Sequence, residues 1–239
     1  MSKALDYFKE VYDEVPGWVQ KMHDYSPAVL DTYTGIRGEI MRDGVLSRRE
    51  KDALIASMNV ARLYARSMLF HTKGAIDYGY SVPELVEFFL TTYLYKGDKA
   101  LALSLEAVAY ALELKGKIVT VPSNTDETAV SSLQTVIGWL EGEDTDYLKE
   151  VLVMIEQGDR VNLETKILSD GRISSHLKHL NMVGNFIAEL NGKGAVPWMQ
   201  KALTAGASEA DLADVGYICI LTAGIPAWFE LSDSLKTKE

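Results

Sequence analysis

Ser67 and His71 stand four residues apart in the run Tyr64-Ala65-Arg66-Ser67-Met68-Leu69-Phe70-His71. On a helix that spacing puts both side chains on one face. An imidazole titrates near neutrality, so a histidine placed this way can act as a general acid or base. Arg62 and Arg66 flank the pair at the same spacing. A guanidinium grips a carboxylate through two parallel N–H donors, so these two suit a carboxylated ligand. Each residue also has a plainer reading. A lone histidine on a half-apolar helix is more often a packing residue, and an i, i+4 arginine pair is equally suited to facing water.

The remaining chemistry-bearing residues carry less. His176 and His179 lie three apart at a helix start, but a metal needs further ligands and the sequence offers no obvious partner, so an exposed polar face is expected and no metal or cofactor. Cys219 is the single cysteine, which excludes an intrachain disulfide and suits a reducing compartment. Its expected role is that of a small buried apolar residue. The segment Asp43-Gly44-Val45-Leu46-Ser47 reads as a helix stop and restart, not as a phosphate loop.

The elements that must position these residues come from a chain of 239 residues, 47% of them hydrophobic, which is ample for a core in each half. The net charge of −10 argues against nucleic acid and against an anionic membrane surface, both of which call for a basic face. The N-terminal Met1–Asp6 has no apolar signal core. The most apolar run, 215–229, is too short to span a bilayer and carries Gly224 and Pro226. A soluble cytoplasmic protein is expected.

The chain repeats itself. Shifted by 127 residues, Asp43-Gly44-Val45-Leu46-Ser47 lies on Asp170-Gly171-Arg172-Ile173-Ser174. Without a gap, Ala75 meets Ala202, Gly79 meets Gly206, Ser81 meets Ser208, Leu85 meets Leu212 and Gly97 meets Gly224. Residues 40–100 show 14 identities in 61 positions, where average residue usage predicts roughly four. Two similar units are therefore expected.

Taken in order, residues 3–24 predict one or two short helices, with Leu5, Phe8, Val11 and Tyr12 at helical spacing and Pro16 as the break. Ser26-Pro27 opens a helix to Arg42, ended by Asp43-Gly44 with Gly44 in a left-handed cap. Ser47 and Glu50 form a capping box for a helix that buries Leu54, Ile55, Met58, Ala61 and Leu63. A helix around 67–78 ends at Gly79, Ser81 with Glu84 caps the next, and an apolar helix follows over 99–114. Residues 115–124 read as an extended linker. Thr125 is then expected to cap a helix to about Leu140, with further helices at 147–157 and 161–169 before the second copy. The class is all-α.

The stretch Leu46–Gly97 resembles the core helical unit of the carboxymuconolactone decarboxylase / alkylhydroperoxidase D superfamily. There a long helix leads into Cys-x-x-Cys-x-x-x-His, then a glycine, then a helix with an acidic start. His71, Gly79 and Glu84 fall in register, and the cysteine positions fall on Tyr64 and Ser67. The resemblance implies a tandem repeat of two alkylhydroperoxidase D-like helical domains, 1–115 and 124–239. It sets Asp52 at the position of the family's relay carboxylate. Asp52, Ser67 and His71 would then be the catalytic group, with Tyr64, Arg62 and Arg66 binding the substrate. A thiol peroxidase cycle needs a thiolate pair and is excluded at Tyr64 and Ser67. In the second half the matching positions are Asn191, Gly194 and Trp198, so no base remains there. The family's decarboxylase branch also lacks the cysteines, keeps the histidine and acts on a small carboxylated lactone. Three readings result: acid–base chemistry of that decarboxylase or isomerase type; a non-catalytic binding or scaffold protein on the same fold; and the family's peroxidase or antioxidant role, which the missing cysteines oppose. The resemblance also implies a homo-oligomer, a trimer with pseudo-hexameric symmetry, seamed by apolar helices such as 100–114.

Overall fold

The computed structural model describes residues 2–123 and 128–236, and among these there are fourteen helices and no strand. Three N-terminal helices, α1 (Lys3–Tyr12), α2 (Gly17–Tyr25) and α3 (Pro27–Met41), precede α4 (Arg48–Ala61), α5 (Ala65–Asp77), α6 (Val82–Lys96) and α7 (Asp98–Leu114). The second half contains α8 (Ala129–Trp139), α9 (Asp146–Gln157), α10 (Arg160–Leu168), α11 (Ser175–Ala188), α12 (Gly192–Thr204), α13 (Glu209–Ala223) and α14 (Ile225–Ser232). No helix among the described residues is long and apolar enough to cross a membrane.

The local signals act as their chemistry demands. Pro16 separates α1 from α2, and the Ser26 hydroxyl accepts from the Val29 amide at the start of α3. The Glu50 carboxylate accepts from the Ser47 amide at 2.7 Å and hydroxyl at 2.6 Å. Glu84 does the same for Ser81, and Asp211 for Ser208. These reciprocal bonds occupy amides that a helix start leaves unpaired. Thr125 lies outside the described residues; the cap of α8 is Thr128, whose hydroxyl accepts from the Ser131 amide.

The two halves share their register. The bounds of α4, α5 and α6, moved by 127, are those of α11, α12 and α13. Gly79 and Gly206 both take φ +103, a left-handed conformation that only glycine enters without strain. Leu63 and Leu190, with φ 54 and 59, turn the chain between the paired helices in both halves.

The halves are also locked together. Lys51 pairs with Asp214 at 3.1 Å and Lys178 with Glu87 at 2.8 Å, so each half supplies the lysine of one pair and the carboxylate of the other. Each lysine also donates to carbonyls of the preceding segment, Ile40 and Arg42 for Lys51 and Ser169 for Lys178. Each carboxylate also accepts a backbone amide, from Leu46 and from Arg172 respectively. Buried charges are tolerable only when paired and hydrogen-bonded in this way. Gly44 does not take the expected left-handed cap, because Arg42 ends α3 in extended backbone and the Gly44 amide donates to the Leu46 carbonyl. What such a position supplies is room for the ion pair. At its counterpart Gly171 a Cβ would lie 2.5 Å from Oε2 of Glu87.

One apolar core runs through both halves, centred on α4 and α11, while a second, smaller cluster of Ala4, Leu5, Phe8, Val19 and Leu30 belongs to α1–α3. Every residue of α4 from Lys51 to Ala61 is buried. Helix α7, expected to carry surplus apolar face, is covered inside the chain by α4, α5, α6 and α8.

Candidate active site

Asp52 on α4 and His71 on α5 meet where these helices pack. Oδ1 of Asp52 lies 2.7 Å from Nδ1 of His71, and Oδ2 accepts from Nε of Arg48 at 2.7 Å. The approach depends on Gly74, one turn beyond His71. A Cβ at Gly74 would stand 2.6 Å from Cγ of Asp52. Alanine is ordinarily the better helix former by about 1 kcal/mol. Here its methyl would push the carboxylate off both partners, and overpacking of this kind costs about 1–3 kcal/mol. Gly74→Ala is therefore expected to lower the melting temperature; a rise would show that the carboxylate has room to move.

The charges follow from burial and pairing. Burial alone would raise the Asp52 carboxyl, but the hydrogen bond and charge of His71 and the Arg48 guanidinium outweigh it and hold the group below its usual range. Burial pushes the His71 imidazole down, and the neighbouring Arg37 and Arg48 add to this, while Asp52 opposes without prevailing. Asp52 is thus an anion and His71 a neutral base at pH 7. The shared hydrogen bond puts the proton on Nδ1, which leaves the Nε2 lone pair without a partner among the described residues.

His71 is only 7% exposed but opens onto a cavity of about 240 Å³. The α5 side of this cavity is Tyr64, Arg66, Ser67, Phe70 and His71, and Leu221 of α13 closes one edge. The opposite wall comes from α1–α3 as Tyr12, Trp18, Tyr33 and Arg37. Of the six residues singled out in the sequence, four line this cavity and Asp52 lies behind His71. Arg62 does not line it, since Nη1 donates to the Thr222 carbonyl on α13. Ser67 shares the face of His71, but its hydroxyl accepts from Nδ2 of Asn59 at 3.1 Å and makes no bond to the imidazole.

The N-terminal wall was missed by sequence reasoning. Arg37 is 2% exposed and donates to the hydroxyls of Tyr7 at 2.6 Å and Tyr12 at 2.8 Å. Tyr12 packs on Phe70, with ring centroids 4.8 Å apart. Burial raises the Tyr12 phenol, which stays protonated. A usable signal lay in α3, where Arg37 occupies the buried stripe of Leu30 and Met41.

A counterpart cavity of about 320 Å³ lies between α10–α12 of the second half and the segment 93–98 of the first. There Trp198 stands at the His71 register, Glu164 at that of Arg37 and Arg160 at that of Tyr33. His179 takes the register of Asp52; its Nδ1 lies 2.8 Å from the Ser175 carbonyl and its ring 6.2 Å from that of Trp198. No acid–base pair results. Cys219 is buried between Met58 and the Gly184 carbonyl, and burial pushes its thiol well up, away from the reactive thiolate.

No family model matches the sequence, and no curated protein matches it. Among solved structures, one from Burkholderia xenovorans LB400, provisionally assigned as a gamma-carboxymuconolactone decarboxylase subunit, superposes with a TM-score of 0.59. The sequences are 16% identical, and the match covers 97% of this chain and 96% of that one. The likeness is one of fold: the chain is all-α and shares the helical architecture of that protein. This is the fold that the residues of Leu46–Gly97 imply.

Proposed function

We propose that the chain catalyses proton transfer on a small carboxylated ring or lactone, of the decarboxylase or isomerase type, in the first-half cavity. The observation that carries this reading is that His71 lines a cavity while Asp52 holds its Nδ1, with no partner for Nε2 among the described residues. A base oriented by a carboxylate and kept neutral by burial is the arrangement that general acid–base catalysis requires. His71 takes the proton, Asp52 fixes the ring, and Ser67, Tyr64 and Arg66 contact the ligand. The test is to incubate the protein in D₂O with a panel of small carboxylated lactones and follow loss of carbon dioxide, or deuterium entry next to the carboxylate, by NMR. Reaction that needs the protein supports the reading. Inertness across the panel, with binding intact, favours the second reading, a binding protein without turnover, for which the low exposure of His71 speaks.

A thiol peroxidase role is opposed by Tyr64 and Ser67 and by the buried state of Cys219. With a dithiol reductant, peroxide reduction is expected at background. Turnover that disappears in Cys219→Ser would contradict this.

The same reading takes residues 1–115 and 124–239 as tandem copies of one helical unit, the second without a base, in a cytoplasmic protein. The chain is further proposed to self-associate, as a trimer with pseudo-hexameric symmetry. Helix α7 is covered internally, so the seam falls elsewhere, and the exposed Tyr25, Val29 and Ile36 along α2 and α3 offer an apolar stripe for it. Light scattering at micromolar concentration is expected to give a multiple of 26.5 kDa. A monomer would rule the assembly out.

A further inference from the structure

We propose that Arg37 is the anion-binding group of the His71 cavity, and that its ligand presents a carboxylate attached to a planar ring. This deepens the functional reading above by assigning the group that holds the ligand, and it stands on different observations. Arg37 is a buried cation that no carboxylate of the described residues reaches within ion-pairing distance; Asp52 acts on it only through space and is already held by Arg48 and His71, and the rings of Tyr7, Phe8 and Tyr12 lie 5.7, 5.8 and 5.6 Å from the guanidinium. Its shortest bonds go to the hydroxyls of Tyr7 and Tyr12. A guanidinium carries five N–H donors, more than the hydroxyls of Tyr7, Tyr12 and Tyr33 take up. Such a charge is costly to bury unless something pairs with it.

The cavity supplies the place for that partner. Its lining holds two arginines, Arg37 and Arg66, and no aspartate or glutamate. This is a sharp departure for a chain with 34 acidic and 24 basic residues. The neighbouring cavity behind Tyr12 and Phe70 also touches Arg37, but there Glu10, Asp52 and Asp77 outnumber Arg37 and Arg48 and disfavour an anion. The second-half cavity has Glu164 at the Arg37 register and adds Asp98. The first-half cavity brings a buried cation and a neutral base into one lining. Its lining includes the aromatic residues Trp18, Tyr33 and Phe70, a composition that suits a flat ligand. A carboxylate on Arg37 would sit on the α3 wall, facing His71 across the cavity.

Calorimetry on the full chain tests this with benzoate as probe and benzamide as its uncharged isostere. Wild type is expected to prefer benzoate by about tenfold or more, and Arg37→Met to lose about ten- to a hundredfold in benzoate affinity with benzamide unchanged, since hydrogen bonds to charged groups are of that strength. Arg37→Lys keeps the charge without the fork and is expected to fall between the two. Calorimetry with these probes reads the anion site without any turnover, so loss of the anion site and loss of catalysis are distinguishable. Equal affinity of wild type for benzoate and benzamide would overturn the proposal, as would no measurable benzoate binding, or benzoate affinity that Arg37→Met and Arg37→Lys both leave unchanged. If Arg37→Met does not fold, the wild-type preference and the lysine variant decide.

Discussion

Replacing His71 by alanine is expected to remove measurable turnover while leaving the fold in place. Loss of a positioned general base typically costs about 10²–10⁴ in rate. Within this cavity no second imidazole can take over, because no other histidine lines it, and Trp198 stands at the equivalent register of the second half. The variant leaves Asp52 with Arg48 as its remaining partner at 2.7 Å, so the carboxylate stays paired and the helices should hold. Circular dichroism and rate measured on the same sample check both halves of the expectation. Retained turnover would move the chemistry away from this dyad.

The largest effect on stability is expected from Glu87→Ala. Glu87 is the anion that Lys178 meets at 2.8 Å, with the two side chains 1% and 0% exposed. Burial lowers the Lys178 ammonium, and Glu87 is the chief group opposing that. Removing it strands a cation in the core and frees the amide of Arg172, which donates to Glu87 at 2.9 Å. Breaking a buried pair from one side costs about 3–5 kcal/mol. A thermal or denaturant melt should show a loss of that order. Replacing both partners with apolar residues of similar volume should recover much of it, since the penalty belongs to the stranded charge. Lys51 and Asp214 form the matching pair, but their carboxylate is 14% exposed, so Asp214→Ala should cost less.

Helix starts, stops and the 127-residue register were legible in the sequence because they are set by neighbours along the chain. A capping box needs residues three apart, and a positive-φ turn needs a glycine such as Gly79 or Gly206. The Ser67 and His71 face was legible for the same reason, and Asp52 through a resemblance that fixed its distance from Tyr64. Arg37, Tyr12, Trp18 and Tyr33 were not. They belong to three helices with a small core of their own, and only tertiary packing brings them over α5. Gly74 was also passed over, because a glycine inside a helix reads as mere tolerance until the carboxylate it makes room for is seen. Arg62 shows the converse: its spacing from Arg66 suggested one binding face, but it ends α4 and turns to the Thr222 carbonyl.

The protonation of His71 tests the central claim most directly, because it needs no substrate. Its folded pKa is lowered below the usual 6.5, so on falling pH the unfolded chain protonates first, and this histidine weakens the fold progressively from about pH 6.5 downward. Nitrogen-15 NMR of the imidazoles, with His71 assigned by its loss in His71→Ala, reads both the charge and the tautomer. At pH 7 a neutral ring protonated on Nδ1, with a midpoint below 6.5, is the predicted result. A doubly protonated ring at pH 7, or a proton on Nε2 instead of Nδ1, would contradict a base held by Asp52 and facing the cavity.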